Sequence, residues 1–551
     1  MTPSKGNSHM KNGFQRLLAA AVAVLSLALS LASTGTAHAA VPSVWTDWLS
    51  SLRSQGFAVT QGIATKHDCL DLIEVFGDCI GTNPASLYAD VLVPVDGAYV
   101  DPCYNGDQVC NGQNIFTKTV TPPSGSTVSA SQFYRLSDNQ ALVVIVKLPP
   151  NGAYFGYQNY VWSRANSQYG EGCAAGRSVN YPNPCRTLVR ASVANALNHV
   201  SIQRQSGQAL GSGATVAFVT TSNKALYESL TAAFAHAGGD PRLLLLEPLG
   251  ARVTAGLFAD GIETGLDEAG DELNALVRYA LPEEPAQAEN WLNSVADNIQ
   301  VFRIDGPDAP VTRFSTVRIA PKDSTSGEAT YQPALGELVS SLKAWLQTSK
   351  VSTVKTSEMT GGLYTRSGLP LAAPVGTICL QQAEDCRRAT DDTDAYRSKP
   401  IGTLRETALV VGIDSTQTGN AHYLSLGVTR GDVLEGVYAL SQTNPQAAGF
   451  DRGTLRGSAS DFVTDLLSRK LIAPPSAELA AALPKLYVAI ITRDCPAMAA
   501  AFFCAKDYVV QLDPAALPED VNVVLTARAY IHPGDTNGAN PRFLLSPVVI
   551  K

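Results

Sequence analysis

These 551 residues contain no Cys-x-x-Cys, no His-Glu-x-x-His, and no glycine loop of the Gly-x-x-x-x-Gly-Lys-Ser/Thr or Gly-x-Gly-x-x-Gly kind. Thioredoxin-like redox centres, zincin metalloproteases and phosphate- or dinucleotide-cradling loops are left without support. Gly-x-Ser-x-Gly is also missing, which removes the nucleophile elbow of an α/β-hydrolase. Charged residues make up only 16% and lean acidic, giving a formal net charge of -8. A nucleic-acid face needs clustered Lys and Arg, so that class is excluded. Aromatic residues reach 7% with five Trp, low for a dedicated polysaccharide binder. Only one long apolar run occurs, so the chain is not a polytopic membrane protein. The apolar content of 45% is too high for a disordered chain.

That single run marks a targeting segment. Lys5, Lys11 and Arg16 form a basic start with no acid, residues 17–32 are apolar, and Ala37 and Ala39 give the small-x-small pattern of a signal-peptidase site. The expectation is a signal peptide over 1–39, with cleavage after Ala39 or Ala40. Its loss leaves 38 basic against 49 acidic residues, a net charge of about -11, and no membrane span.

All ten cysteines follow that segment. They fall into neighbouring pairs, Cys69/Cys79, Cys103/Cys110, Cys173/Cys185, Cys379/Cys386 and Cys495/Cys504, which favours five local disulfides and a secreted or periplasmic location.

Two stretches repeat one order of features. Residues 141–144 (Ala-Leu-Val-Val) precede Val216 by 75 residues, and residues 408–411 (Ala-Leu-Val-Val) precede Val488 by 80. Strands are expected at 141–148, 154–162, 214–220, 404–412, 423–429, 486–492, 508–512 and 521–531, from Val, Ile and aromatic content. Helices are expected at 224–237, 286–298, 334–349 and 461–471. Residues 214–246 read as one β-α-β unit. The fold class is α+β, with mostly antiparallel sheets, flanking helices and two duplicated halves at 41–350 and 358–551, joined by a polar linker.

Candidates for chemistry are few. His422 follows Gly419 and Asn420 and is the leading general base, with Asp394 as a partner carboxylate. Asp391, Asp392 and Asp394 crowd onto a loop after Cys386, where an oxygen-rich cluster suits Ca²⁺. Asp101, Asn105 and Asp107 sit around Cys103 and Cys110 without an EF-hand pattern, since Gly112 occupies the bidentate Glu position. The acids from Asp260 to Glu272 read as an exposed helical face. Tyr154, Tyr160 and Trp162 share one parity, and Phe155, Tyr157, Asn159 and Val161 the other. One face is core; the other offers a surface for a saccharide or an apolar small ligand. Tyr157, Asn159 and Tyr396 are the candidate ligand-binding residues.

Asn83-Pro84 followed by Tyr88, together with residues 152–158 (Gly-Ala-Tyr-Phe-Gly-Tyr-Gln), resembles exported bacterial proteins of the domain-of-unknown-function type. The resemblance spans about the first third of the mature chain and implies no activity. Two readings follow: an extracellular binding or structural protein without catalysis, or a secreted hydrolase using a carboxylate pair or His422, stabilised by calcium.

Overall fold

Residues 140–147 are apolar on both faces of an extended chain, and they become the central strand of a sheet covered on both sides. The computed structural model describes residues 42–76, 79, 82–95, 117–165, 186–252, 261–267, 269–307, 310–315, 327–348, 355–358, 397–404, 407–442, 451–495, 501–540 and 543–551. Ser43–Lys551 forms one compact unit.

The first part runs α1 (Ser43–Ser54), β1 (Ala58–Gln61), β2 (Ile63–Lys66), α2 (Cys69–Phe76), β3 (Ser86–Pro94), β4 (Thr117–Val120), β5 (Val128–Ser131) and β6 (Phe133–Tyr134). It continues with β7 (Gln140–Lys147), β8 (Gly152–Ala165), β9 (Arg186–Ser192), β10 (Leu197–Asn198), α3 (His199–Ser206), β11 (Thr215–Thr221) and α4 (Lys224–His236). It ends with β12 (Leu244–Pro248), β13 (Glu272–Pro282), α5 (Pro285–Asn293), α6 (Val295–Asn298) and β14 (Ile299–Asp305). The second part opens with α7 (Gln332–Thr348), β15 (Thr356–Glu358), β16 (Arg397–Pro400), β17 (Thr407–Ile413), β18 (Tyr423–Arg430), β19 (Gly436–Ser441) and β20 (Asp451–Thr454). Then come α8 (Ser458–Ser468), α9 (Ala477–Ala482), β21 (Leu486–Thr492), β22 (Val509–Gln511), β23 (Val523–Tyr530) and β24 (Val548–Ile550).

The two parts carry sheets of one topology. The first has the order β1-β14-β7-β11-β12 and the second β15-β24-β17-β21-β22. In each, the last pair is parallel and the other pairs are antiparallel. The expected β-α-β unit is β11–α4–β12, with Ala217 opposite Leu244. The repeated tetrapeptides both lie on central strands, but the ladders are two residues out of step with the sequence match. Ala141 faces Thr221, whereas Ala408 faces Ile491 and not the residue after Thr492. An even offset keeps every side chain on its face.

Each of these two sheets buries one face under helices and the other against a second sheet. Trp45, Trp48 and Phe234 of α1 and α4 stack over the first, and Trp345, Phe462 and Phe503 over the second. The second sheets contain β10-β8-β13-β3 in the first part and β16-β23-β18-β19-β20 in the second. Their outer faces meet at a seam where Ala85, Tyr154, Ala280 and Leu281 pack on Tyr423, Ala439, Tyr530 and Ile531.

Three sequence expectations change. The 334–349 helix, read as the end of the first half, instead packs Leu335, Leu338, Leu342 and Trp345 into the core of the second part. There it precedes β15 as α1 precedes β1. The acids up to Glu272 form no helical face among the described residues. Gly261 turns the chain at φ +84°, where a Cβ would run into Ala251 O. Asp271 then pairs with Arg164 at 3.0 Å, both fully buried, and Glu272 accepts from Ser163 Oγ at 2.8 Å. The spacing of these acids serves buried partners on β8, not solvent. Finally, the outward parity of β8 is not a free binding strip, because the second part covers it at Tyr154.

Cys69–Cys79 and Cys495–Cys504 are disulfide-bonded, both local as expected. The other three expected pairs, Cys103/Cys110, Cys173/Cys185 and Cys379/Cys386, lie outside the described residues. Of the five bridges expected from the cysteine spacing, the structure therefore describes two. Cys185 immediately precedes β9, whose first residue, Arg186, is paired with Ala165 of β8.

Candidate functional site

The seam is built from polar rings. Tyr530 lies between Tyr154 and Tyr423, with ring centroids 5.0 and 4.9 Å away. At its edge Asn198 caps α3, accepting from Val200 N and Ser201 N, while its Nδ2 donates to Thr536 O at 2.5 Å. That cap fixes the next residue, His199, with its ring 5.9 Å from the ring of His422. His422 is held by its own backbone N–H, which donates to Tyr530 O and Ile531 O at 3.0 and 2.9 Å. His532 Nδ1 lies 3.1 Å from Asp535 Oδ2 in the Pro-Gly turn. Three of the chain's seven histidines therefore gather where the two parts meet.

Burial, and then the neighbouring His422, push His199 down to about 4. The Phe155 N–H donates to His199 Nδ1 at 3.4 Å. A neutral ring whose Nδ1 accepts must carry its proton on Nε2. His199 is thus a hydrogen-bond donor at neutral pH. His422 is also lowered, by burial and by His532.

Beside His199 opens a half-enclosed pocket of about 260 Å³. Its wall is the 148–152 segment, Phe155, Ile202, Gln203, Tyr279 and Glu283. Pro149 and Pro150 fix the backbone there and bring no N–H groups. The Tyr279 hydroxyl and the Glu283 N–H both donate to Asn151 O, at 3.4 and 2.8 Å. Burial and then the Glu283 charge raise the Tyr279 hydroxyl above its ordinary range.

A second polar centre is closed. Glu247 on β12 is 1% exposed. Its Oε1 accepts from Asn159 N at 2.9 Å, and its Oε2 accepts from Asn159 Nδ2 and from Thr220 Oγ1 at 3.1 Å. Burial outweighs these bonds and pushes the carboxyl up to about 7. Tyr157 lies 3.2 Å from Thr220 Oγ1 and stacks on Phe218. The two aromatic-strand residues expected to bind ligand, Tyr157 and Asn159, are fully buried in this network. Glu247 was missed in the sequence, although one acid after Leu243–Leu246 is the signal of a buried strand carboxylate.

Of the other expected residues, His422 lies at the seam and faces His199. Asp391, Asp392, Asp394 and Tyr396 lie outside the described residues, as do Asp101, Asn105 and Asp107. Among the described residues, no group of three His, Cys, Asp or Glu side chains is placed to hold a metal ion. No helix among them is long and apolar enough to cross a membrane.

No protein-family model matches the chain, and no curated protein matches it. Two solved structures are similar in part. A Vibrio parahaemolyticus protein solved by a structural genomics consortium is 8% identical, covering 76% of this chain and 88% of its own, with a TM-score of 0.29. An uncharacterised protein of Burkholderia cenocepacia is 9% identical, covering 86% and 77%, also with a TM-score of 0.29. Likeness at that level carries no argument about activity.

Proposed function

We propose that this chain is an exported, disulfide-stapled binding protein without catalysis, and that the pocket beside His199 receives a small ligand bearing a hydrogen-bond acceptor. The observation that carries this reading is the Phe155 N–H on His199 Nδ1. It commits the imidazole to offering Nε2–H and withdraws the nitrogen that a general base would use. The remaining wall sets apolar side chains (Leu148, Phe155, Leu210) among polar ones (Asn151, Gln203, Ser212, Glu283), so hydrogen bonds as well as shape can fix a ligand there. Export rests on the leader and the local disulfides. The repeated sheet topology supports duplication of one unit, with the second copy beginning before α7.

The test is a thermal-shift screen of the mature protein with small molecules, repeated on Gly211→Trp. Gly211 lies on the pocket rim, and a Cβ there meets nothing within 4 Å. An indole there adds bulk at the rim and meets no packed neighbour. Stabilising compounds should lose their effect in the variant. Compounds that stabilise both proteins equally bind elsewhere, and a screen of only such compounds rejects the site.

A further inference from the structure

We propose, resting on that reading of the pocket, that its ligand is a small organic cation: an ammonium group at the Glu283 side, an apolar middle, and an acceptor oxygen at the His199 end.

The charge inventory of the wall leads there. Glu283 is the one charged residue among the lining side chains, and it is exposed at the rim. Lys147 and Arg204 neighbour lining residues in sequence but do not line the pocket. Arg204 is engaged across the seam, donating to Gly534 O. Arg242 sits in an ion pair with Asp240 at 2.7 Å. Nothing in the lining neutralises the carboxylate, so a positive group placed there gains attraction and an anion meets repulsion. The backbone does not oppose this sign, because Pro149 and Pro150 bring no N–H donors to the wall.

The rest of the wall selects shape and polarity. Tyr279 is buried beneath the rim and holds Asn151 through its hydroxyl, which fixes the floor below the carboxylate. Phe155, Ile202 and Leu210 offer apolar surface to the ligand's middle. His199, a donor at neutral pH, calls for an acceptor oxygen at the far end.

Three phenols separate charge from shape. Tyramine is cationic at pH 7, 4-ethylphenol neutral and 4-hydroxyphenylacetate anionic; all three carry the same ring and the same phenolic oxygen. Calorimetric titration of the full mature chain should rank tyramine first, about fivefold tighter than 4-ethylphenol, as expected of a partly solvated ion pair. The anion should bind weakest. Glu283→Gln, an exposed position, should fold normally and bring tyramine level with 4-ethylphenol. Raised salt should shrink the wild-type gap. Tyramine binding no better than 4-ethylphenol, or keeping its advantage in Glu283→Gln, overturns the cation assignment and leaves the pocket as a neutral site. Binding of none of the three, alongside a thermal-shift screen without pocket-dependent compounds, overturns both readings.

Discussion

Asn83 donates through Nδ2 to the hydroxyl of Tyr530, 3.1 Å away and 447 positions later in the chain. The same amide reaches the Tyr423 hydroxyl at 3.3 Å, and its oxygen accepts from Ser425 Oγ at 3.3 Å. Asn83 is 1% exposed, so water cannot replace these partners. One side chain before β3 therefore satisfies three polar groups of the other part. Asn83→Ala should lower stability by about 2–3 kcal/mol, because buried hydroxyls lose their partner. Urea denaturation of Asn83→Ala, Tyr530→Phe and the double variant checks this. The single costs should not add, since both remove one interaction. Strict additivity would mean that the seam does not depend on this contact.

Next to it, Pro84 lies against the backbone of β18 and β19. A Cβ on Gly436 would stand 2.5 Å from Pro84 Cδ and 2.7 Å from Thr82 O. Neither neighbour is the flexible end of a side chain. Gly436→Ala should cost about 1–3 kcal/mol by overpacking. A melting temperature unchanged from the wild type would show that residues 82–84 can lift from the sheet freely.

The residues behind the sequence resemblance, Asn83, Pro84, Tyr88 and 152–158, prove to sit at or beside this seam. The strands were legible because Val- and Ile-rich runs such as 140–147 and 486–492 have no other good use. The two faces of β8 followed from parity alone, with Phe155 and Tyr157 in the core and Tyr154 opposite. What covers Tyr154 was not legible, because a face buried by a distant segment has the same pattern as a face that binds ligand. The acids near 271 misled for a related reason. Their spacing is helical, but their partners Arg164 and Ser163 lie more than a hundred positions away. His199 was not legible as a site residue, since its neighbours in sequence, Leu197, Asn198 and Val200, give no hint of the pocket formed by the 148–152 segment and Glu283.

The two disulfides close short loops, with sequence separations of 10 and 9. In the chain-entropy picture each contributes about 2.5 kcal/mol. Cys79 N also donates to Val433 O at 2.6 Å, so the first loop touches the second part. Paired Cys→Ser changes at 69 and 79 should lower the melting temperature and weaken coupling across the seam, seen as a broader or split transition. The change at 495 and 504 should lower it with a single transition. Identical behaviour of the two variants would contradict the link between the first disulfide and the seam.

Two buried groups should bend the pH dependence of stability in opposite directions. Burial raises Glu247 from 4.5 to about 7. Between those values the native state keeps a proton that the unfolded chain has released, so stability falls as pH rises, by on the order of 3 kcal/mol. Burial and His422 lower His199 from 6.5 to about 4. Between those values the unfolded chain takes up a proton that the native ring refuses, so stability falls as pH drops. The windows overlap from about pH 4.5 to 6.5, and the wild type should therefore show a shallower dependence than either group alone. Glu247→Gln changes the packing by a fixed offset but removes one slope, and its stability relative to the wild type should improve steadily from pH 4.5 to 7. His199→Gln should do the reverse, gaining relative to the wild type as pH falls from 6.5 to 4. Urea midpoints taken every half unit of pH give both difference curves. Parallel curves for Glu247→Gln and the wild type would mean that the carboxyl titrates as an ordinary solvated acid, and that the Asn159–Thr220 cradle opens to water.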